Sequence, residues 1–435
     1  MPCRKKLDPT PVRGQLYEQG LSVAELAGVW WFFSMSSKVR RLRLPQDRDL
    51  RTDWDEGSMA NERFEWGQEL WQCSPVCLSR GRRTADNHPV LLKRIELPEQ
   101  HPAAIAQLRD EFETSQTIRH GDIVPVVEYW ESELGPVLVM EDAGDAPLSC
   151  RPAKDVLAVD EFLSISCTIL SAVETLHRMG MTHRSIEPRH MFYDAAKRSV
   201  RLSGLGSASS RLLDIPSLTA VNRIEGSLAY LSPEQTGRMN RPVDRRSDLY
   251  SVGVVLFELA TGRVPFEDND APGLLHAQIA REAPLLTDLR EDVPAAFADI
   301  VAKLLRKSPD DRYQTASGLL FDLKKCHDDF LSIGSVPDFP LATHDTSDRL
   351  QFPVRIYGRQ SELDTLYQQC DQACDGPAEL VLVAGYSGVG KTALVRELYR
   401  PITRRFGYFI AGKHDVFQQS GPYFALTQAL DELCT

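Results

Sequence analysis

The sequence predicts an α+β chain of two lobes followed by a separate α/β segment. Three observations carry that reading. Strand-like runs with one helix among them fill residues 88–142. Helical patterns dominate beyond residue 150. Near the C-terminal end, LVLVA, GYSGVGKT (385–392) and ALVRELY read as strand, glycine-rich loop and helix.

In order along the chain, residues 1–62 have no sustained period and read as a poorly ordered N-terminal extension. The one membrane-like run there, LSVAELAGVWWFFSM (21–35), is interrupted by Glu25 and is shorter than the roughly 20 apolar residues that span a bilayer. It is no clear membrane segment; an interfacial amphipathic stretch is the lesser alternative. HPVLLKRIEL (88–97) then reads as a strand and AAIAQLRDEFETSQTI (103–118) as a helix. GDIVPVVEYWES and GPVLVMED read as strands around a turn. Together these form a small lobe reaching to about residue 142 within a domain over 63–333.

In DEFLSISCTILSAVETLHRMG (160–180), Phe162, Ile165, Ile169, Val173 and Leu176 share one helical face, with Gly180 as the stop. SDLYSVGVVLFELATG (247–262) reads as a helix with a Ser247 N-cap, apolar nearly all round, and so central in its lobe. The proline-containing stretch over 334–356 reads as a linker, and 357–435 as a further domain.

The charge balance narrows the function classes. A formal net charge of −11 argues against a general nucleic-acid or anionic-membrane binder, since phosphate surfaces attract excess Lys and Arg. Nine scattered cysteines fit reduced thiols in a cytoplasmic setting. Cys73/Cys77 and Cys370/Cys374 share C-x-x-x-C spacing, but no neighbouring His or Cys completes a four-ligand zinc site, so they read as ordinary thiols.

The order of elements resembles the eukaryotic-type protein kinase fold, motif by motif. VLLK (90–93) resembles the strand ending in the phosphate-contacting lysine, Lys93, and RDEFE offers Glu111 as its partner on the following helix. VME (139–141) resembles the hinge, with Met140 as gatekeeper. SPE (232–234) resembles the close of the activation segment, SDLYSVG places Asp248 at the buried aspartate of the central helix, and DDRYQ supplies Arg312 as the partner of Glu234. THRSIEPRHMFYD (182–194) has the outline of the catalytic loop, with His183 and Arg184 as scaffold.

The chemistry is missing from that outline. Kinases place an Asp toward the substrate hydroxyl, an Asn five residues later on Mg²⁺, and the Asp of DFG on Mg²⁺. This chain has Ser185, His190 and Gly204 there. Where Ser/Thr kinases usually have lysine stands Glu187, a carboxylate expected to face the γ-phosphate with like charge. LWQCSPVCLSRG (70–81) lacks the G-x-G of a phosphate cover. Losing one positioned acid/base group typically costs ~10²–10⁴ in rate, and losing both metal ligands removes the main electrostatic stabiliser as well. No catalytic residue is assigned, and Lys93–Glu111 reads as a retained structural ion pair. The segment after Gly204 offers Ser207, Ser209, Ser210, Ser217 and Thr219 as phosphate acceptors, though ordinary solvated hydroxyls account for them.

GYSGVGKT matches G-x-x-x-x-G-K-[ST] in full. Gly385, Ser387, Gly388, Val389 and Gly390 would cradle the phosphates of ATP through backbone N–H groups, Lys391 would reach the β/γ oxygens, and Thr392 would ligate Mg²⁺. No acidic strand end of the kind that completes such a site follows. GYFIAGKHD (407–415) comes too early and lacks four apolar residues before Asp415, so the segment reads as the front of a truncated domain.

GSLAYLSPEQTGRMNRPVDRRSDLYSVGVVLFELATGRVPFE, FPVRIYGRQSELDTL, LVLVAGYSGVGKTALV and RPITRRFGYFIAGKHDVFQQSGPYFAL together resemble the hybrid sensor kinases that join a Ser/Thr-kinase-like domain to an AAA-type ATPase domain. Those proteins usually continue into GAF and histidine-kinase domains. The resemblance implies two-component-type signalling with other signalling proteins as partners. The expectation is a regulatory pseudokinase on a bilobal protein-kinase-like fold, joined to an incomplete P-loop NTPase segment. Two alternatives stand beside it: an active atypical Ser/Thr kinase, and a scaffold switched by nucleotide at the P-loop alone.

Overall fold

The computed structural model describes residues 63–346, less 119, 133–134, 145, 152–156, 195, 211–226, 238, 240 and 269. It also describes residues 356–430, less 357, 387, 406, 408, 411–426 and 428. The expected extension over 1–62 lies outside the described residues. The chain divides into two compact units with a boundary at Pro353/Val354.

The first unit opens with an antiparallel five-stranded sheet of order β1-β2-β3-β5-β4. Its strands are β1 (Phe64–Cys73), β2 (Val76–Arg83), β3 (Pro89–Ile95), β4 (Val126–Ser132) and β5 (Gly135–Glu141). β3 is central and buried on both faces. Val90 and Leu92 join Phe64, Val137 and Val139 on one side. Leu91 and Ile95 join Leu78, Leu108 and Met140 on the other. Period two therefore puts Lys93 on the side of Leu91 and Ile95, facing α1 (Pro102–Thr117). α1 buries Leu108, Glu111 and Ser115, one stripe at helical spacing. The β1–β2 hairpin occupies the stretch the sequence identified only by its lack of G-x-G.

The large lobe is built on α2 (Val159–Arg178), a hairpin of β6 (Met191–Asp194) and β7 (Ser199–Leu202), and α3 (Arg245–Thr261). α4 (Ala271–Ala280), α5 (Ala295–Leu304) and α6 (Ala316–Ile333) complete it. All five residues of the expected α2 face are buried, and Gly180 follows its end at φ 78°, the left-handed turn glycine adopts without steric cost. α3 is buried at most of its positions, as a helix apolar all round requires.

Its start corrects the sequence reading. The N-cap is Asp244, whose carboxylate accepts the Arg246 N–H at 2.8 Å. Ser247 lies inside the first turn and donates instead to Glu234 at 2.7 Å. The linker also begins later than residue 334. Asp345 accepts from Gln314 N, Thr315 N and Thr315 Oγ1 at 2.6–2.8 Å, while Thr315 caps α6 by accepting the Gly318 N–H. The Ala342 N–H donates to the buried Asp322, and Phe339 and Leu341 pack on the core. Two carboxylates thus hold the proline-containing stretch in place, a contact without helical or strand period.

The second unit contains α7 (Gln360–Asp375), α8 (Lys391–Arg396) and α9 (Tyr399–Arg404) around Leu363, Leu366, Leu394 and Leu398. The strand expected at LVLVA is not formed among the described residues. Val381 and Val383 face the helices while Leu380 and Leu382 are exposed. The alternation is a strand's, but a strand needs a hydrogen-bonded neighbour, and no described segment pairs with it.

Replacing Asp345 by Ala should lower the unfolding free energy of the full chain by about 1–3 kcal/mol, because several donors lose their acceptor. Asp345→Asn, which keeps one carbonyl oxygen, should lose less. Urea unfolding monitored by far-UV circular dichroism measures both.

Candidate active site

The loop carrying the site is fixed from below by Asp248 of α3, which is 1% exposed. Its Oδ2 lies 2.8 Å from His177 Nε2 and accepts the His183 N–H at 2.8 Å, and its Oδ1 accepts the Arg184 N–H at 2.7 Å. Burial alone would raise this carboxyl; the hydrogen bond and charge of His177, then His183, hold it below the usual range. Arg184 sits at φ 67°, a left-handed conformation costly for a side chain with a Cβ. Asp248 holds it there. His183 donates through Nε2 to Ser203 O at 2.9 Å and accepts the Ser185 N–H on Nδ1.

Behind the activation segment, Glu234 and Arg312 form a two-pronged ion pair at 2.7 and 2.9 Å with both side chains fully buried. In the small lobe, Lys93 Nζ lies 2.6 Å from Glu111 Oε2. The other Glu111 oxygen accepts the Gly204 N–H at 3.0 Å. Burial would raise Glu111, but the charge and hydrogen bond of Lys93, then that N–H, keep it lowered. Glu111 therefore ties β3, α1 and the residue at the metal-binding position into one unit.

The four departures fit one another. Gly204 lies at φ 79°, and an ideal Cβ there would stand 2.6–2.7 Å from the His190 ring. The imidazole occupies the room an aspartate would need. Its Nδ1–H donates to Ser185 O at 2.9 Å, and its ring meets Trp71 of β1 edge-on at 6.3 Å. Burial first, then the charges of Lys93, His183 and Arg189, pushes His190 well below its ordinary value, so the ring is neutral.

Glu187 overturns the expectation of a carboxylate facing a phosphate. It is 3% exposed and accepts from Arg189 at 2.8 Å, Ser185 Oγ at 3.2 Å and Ser227 N at 3.4 Å. Arg189, over the Trp71 ring at 5.4 Å, lines the cleft in its place. The sequence signal for this was the i, i+2 pairing of Glu187 with Arg189 on a tight turn.

The cleft itself measures about 550 Å³ and is lined by Trp71, Lys93, Glu111, Ser185, Arg189 and His190, among others. It does not reach the expected hinge. Met140 and Ala143 instead join Leu78, Leu91 and Phe192 of β6 in one apolar cluster, each at most 2% exposed. Side chains from both lobes fill the space beside the hinge. Among the described residues no group of three His, Cys, Asp or Glu can hold a metal. A magnesium–triphosphate does not fit this donor set: a glycine and a neutral imidazole, whose Nδ1–H is given to Ser185 O, stand where the two metal ligands are needed.

The protein kinase domain family matches residues 73–321, more than half of the chain. The chain belongs to that family. The AAA ATPase domain family matches residues 355–435. The kinase domain is similar to hybrid signal transduction histidine kinase G of Dictyostelium discoideum, 39% identical over 224 residues, 47% of this chain and 6% of that protein. Serine/threonine-protein kinase PknB of Mycolicibacterium smegmatis is 30% identical over 297 residues, 64% of this chain and 44% of that kinase. Serine/threonine-protein kinase PrkC of Bacillus subtilis is 30% identical over 225 residues, 52% and 34% respectively. The chain spans under half the length of each of these relatives.

In the kinase domain Ser209 pairs through its backbone with Thr182; Ser207 and Ser210 are described, whereas Ser217 and Thr219 lie outside the described residues. In the AAA-type segment, Gly388 and Gly390 adopt φ 83° and 93°, and a Cβ at either would meet nothing within 4 Å. Lys391 Nζ donates to Gly385 O and Tyr386 O at 2.7 and 2.9 Å. Open glycines beside a partly buried lysine at a helix start have the form of a phosphate cradle, in which Thr392, next in line, would be the metal-side hydroxyl. Val389 is half-exposed; Ser387 and Asp415 lie outside the described residues.

Two outcomes follow from the geometry. Gly204→Asp should destabilise the domain by about 1–3 kcal/mol, from the left-handed backbone and the contact with His190. Combined with His190→Asn it should cost less than the sum of the two singles, a coupling that a double-mutant cycle in urea reads directly. The second concerns pH. His183 and His190 are both lowered from 6.5, so the unfolded chain binds more protons than the folded one below that value. Stability is therefore full above pH 6.5 and falls as pH drops, by up to about 1.4 kcal/mol per unit per group. His190→Asn should make the fall between pH 7 and 5 shallower.

Proposed function

We propose that residues 63–346 are a pseudokinase, a regulatory interaction module that no longer transfers phosphate. It is joined to the nucleotide-binding front of an AAA-type domain in a signalling protein of the hybrid sensor kinase kind. The observation that carries this reading is the His190 ring against Gly204: the space for a metal-holding carboxylate is occupied by a neutral side chain. The filled hinge and the inward-turned Glu187 support it. The order of kinase and AAA-type matches, and the Dictyostelium relative's name, support the signalling assignment. In that setting ATP and Mg²⁺ belong to the loop around Lys391 and Thr392, the partners are other signalling proteins, and the compartment is the cytoplasm. Among the described residues no helix is long and apolar enough to cross a membrane.

An active atypical Ser/Thr kinase is the second reading, favoured by the intact Lys93–Glu111 pair and by relatives named serine/threonine-protein kinases. A scaffold switched only at the P-loop is compatible with the pseudokinase reading.

The full chain and its Lys391→Ala variant separate these. Wild type should gain thermal stability with ATP, roughly 2.7 kcal/mol at a hundredfold excess over Kd. Lys391→Ala should gain none, and neither should transfer labelled phosphate from ATP with Mg²⁺ or Mn²⁺. Transfer that survives Lys391→Ala and disappears with Lys93→Met would establish the kinase instead.

A further inference from the structure

The thiols of Cys370 and Cys374 stand one helical turn apart near the C-terminal end of α7, which runs to Asp375. Leu363, Leu366 and Cys370 fall at i, i+3 and i+7, the stripe that packs on Leu394 and Leu398 of the helices following the phosphate loop. Cys374 extends that stripe by one turn. Both cysteines are partly buried, and neither is in a disulfide. Burial first, then the neighbouring Cys374, raises the Cys370 thiol to about 11. Asp371, between them in sequence, pairs with Arg405 at 2.9 Å, so a cation stands beside the thiols.

Spacing decides what the pair can hold. Residues at i and i+4 of a helix have Cβ atoms about 5–6 Å apart, whereas a disulfide wants about 3.5–4.5 Å. A direct bond would strain the last turn. One bridging atom would not: two metal–sulfur bonds of about 2.3 Å cover the remaining distance. Zinc would need further ligands, and among the described residues no group of three His, Cys, Asp or Glu is present. Two thiolates alone suit a soft ion content with low coordination, and soft thiolates select Cu(I).

We propose that Cys370 and Cys374 form a two-thiolate site for Cu(I) on the seam between α7 and the helices that follow the phosphate loop. Binding releases both thiol protons to solvent and moves no electron; the complex carries one negative charge beside the Asp371–Arg405 pair. The site is a soft-metal input to the nucleotide-binding segment, independent of whether the kinase domain transfers phosphate.

The test is an anaerobic titration of the full chain with Cu(I) against the chromogenic competitor bicinchoninate. Wild type and Cys150→Ser should share a tight equivalent that Cys370→Ser and Cys374→Ser each lack, with unchanged circular dichroism. Zn(II) should not displace it. A second arm uses phenylarsine oxide, whose arsenic forms bonds to two sulfurs as its oxygen leaves with both protons as water. Wild type should gain one more phenylarsenic group by mass than either Ser variant under native conditions, with circular dichroism showing both variants folded. Equal copper and arsenic uptake by wild type and both variants would overturn the proposal, as would displacement of the copper by zinc.

Discussion

The buried carboxylate of Asp248 organises the kinase domain more than any other single group. It enters from a helix submerged in the core and engages His177, the His183 N–H and the Arg184 N–H at once. Removing two backbone donors and a carboxylate from water is unfavourable unless each finds the other. The loop's path is therefore prescribed by the helix beneath it. Arg184 can rest at positive φ because both neighbouring N–H groups are already committed, and its carbonyl accepts from Gln235 at 2.7 Å. Gln235 belongs to the turn containing Glu234, which Arg312 grips. One chain of buried polar contacts thus runs from α3 through the catalytic loop to the end of the activation segment. None of it requires a catalytic side chain.

That independence explains how the outline of a kinase can coexist with Ser185, Glu187, His190 and Gly204 in its catalytic loop and metal-binding positions. A frame secured from below leaves the upper surface free to change, but changed residues must still satisfy packing and hydrogen bonding. They do. His190 donates to Ser185 O and occupies the volume above Gly204; Glu187 gathers Ser185, Arg189 and Ser227; Arg189 lies over Trp71. A cleft merely stripped of its ligands would leave a hollow and an unpaired carboxylate. This one is repacked, with its charges neutralised among themselves.

The sequence made the frame legible because its residues obey period and spacing. Lys93 and Glu111 follow from the resemblance of VLLK and RDEFE to the kinase strand and helix motifs, and the α2 core from five positions on one face. It made the replaced residues legible by position, but not the way they turn. Glu187 looks outward on a motif and is inward in space, because a partner two residues away neutralises it. The N-cap of α3 went to Asp244 since Ser247 had a better use beside Glu234. The docking of residues 337–346 depends on single carboxylates meeting backbone donors, which leaves no pattern in composition. LVLVA carries a strand's alternation without a strand's partner, and alternation alone reports only which side is buried.

A ligand shifts a protein between states only through unequal affinity for them. Between the lobes of this kinase domain, Trp71 meets the His190 ring and Phe192 is buried with Leu91 and Met140. The Lys93–Glu111 pair is already joined to Gly204. On the pseudokinase reading proposed above, nucleotide dependence would have its basis at the loop before Lys391, where Gly388 and Gly390 are open and the lysine donates to the Gly385 and Tyr386 carbonyls.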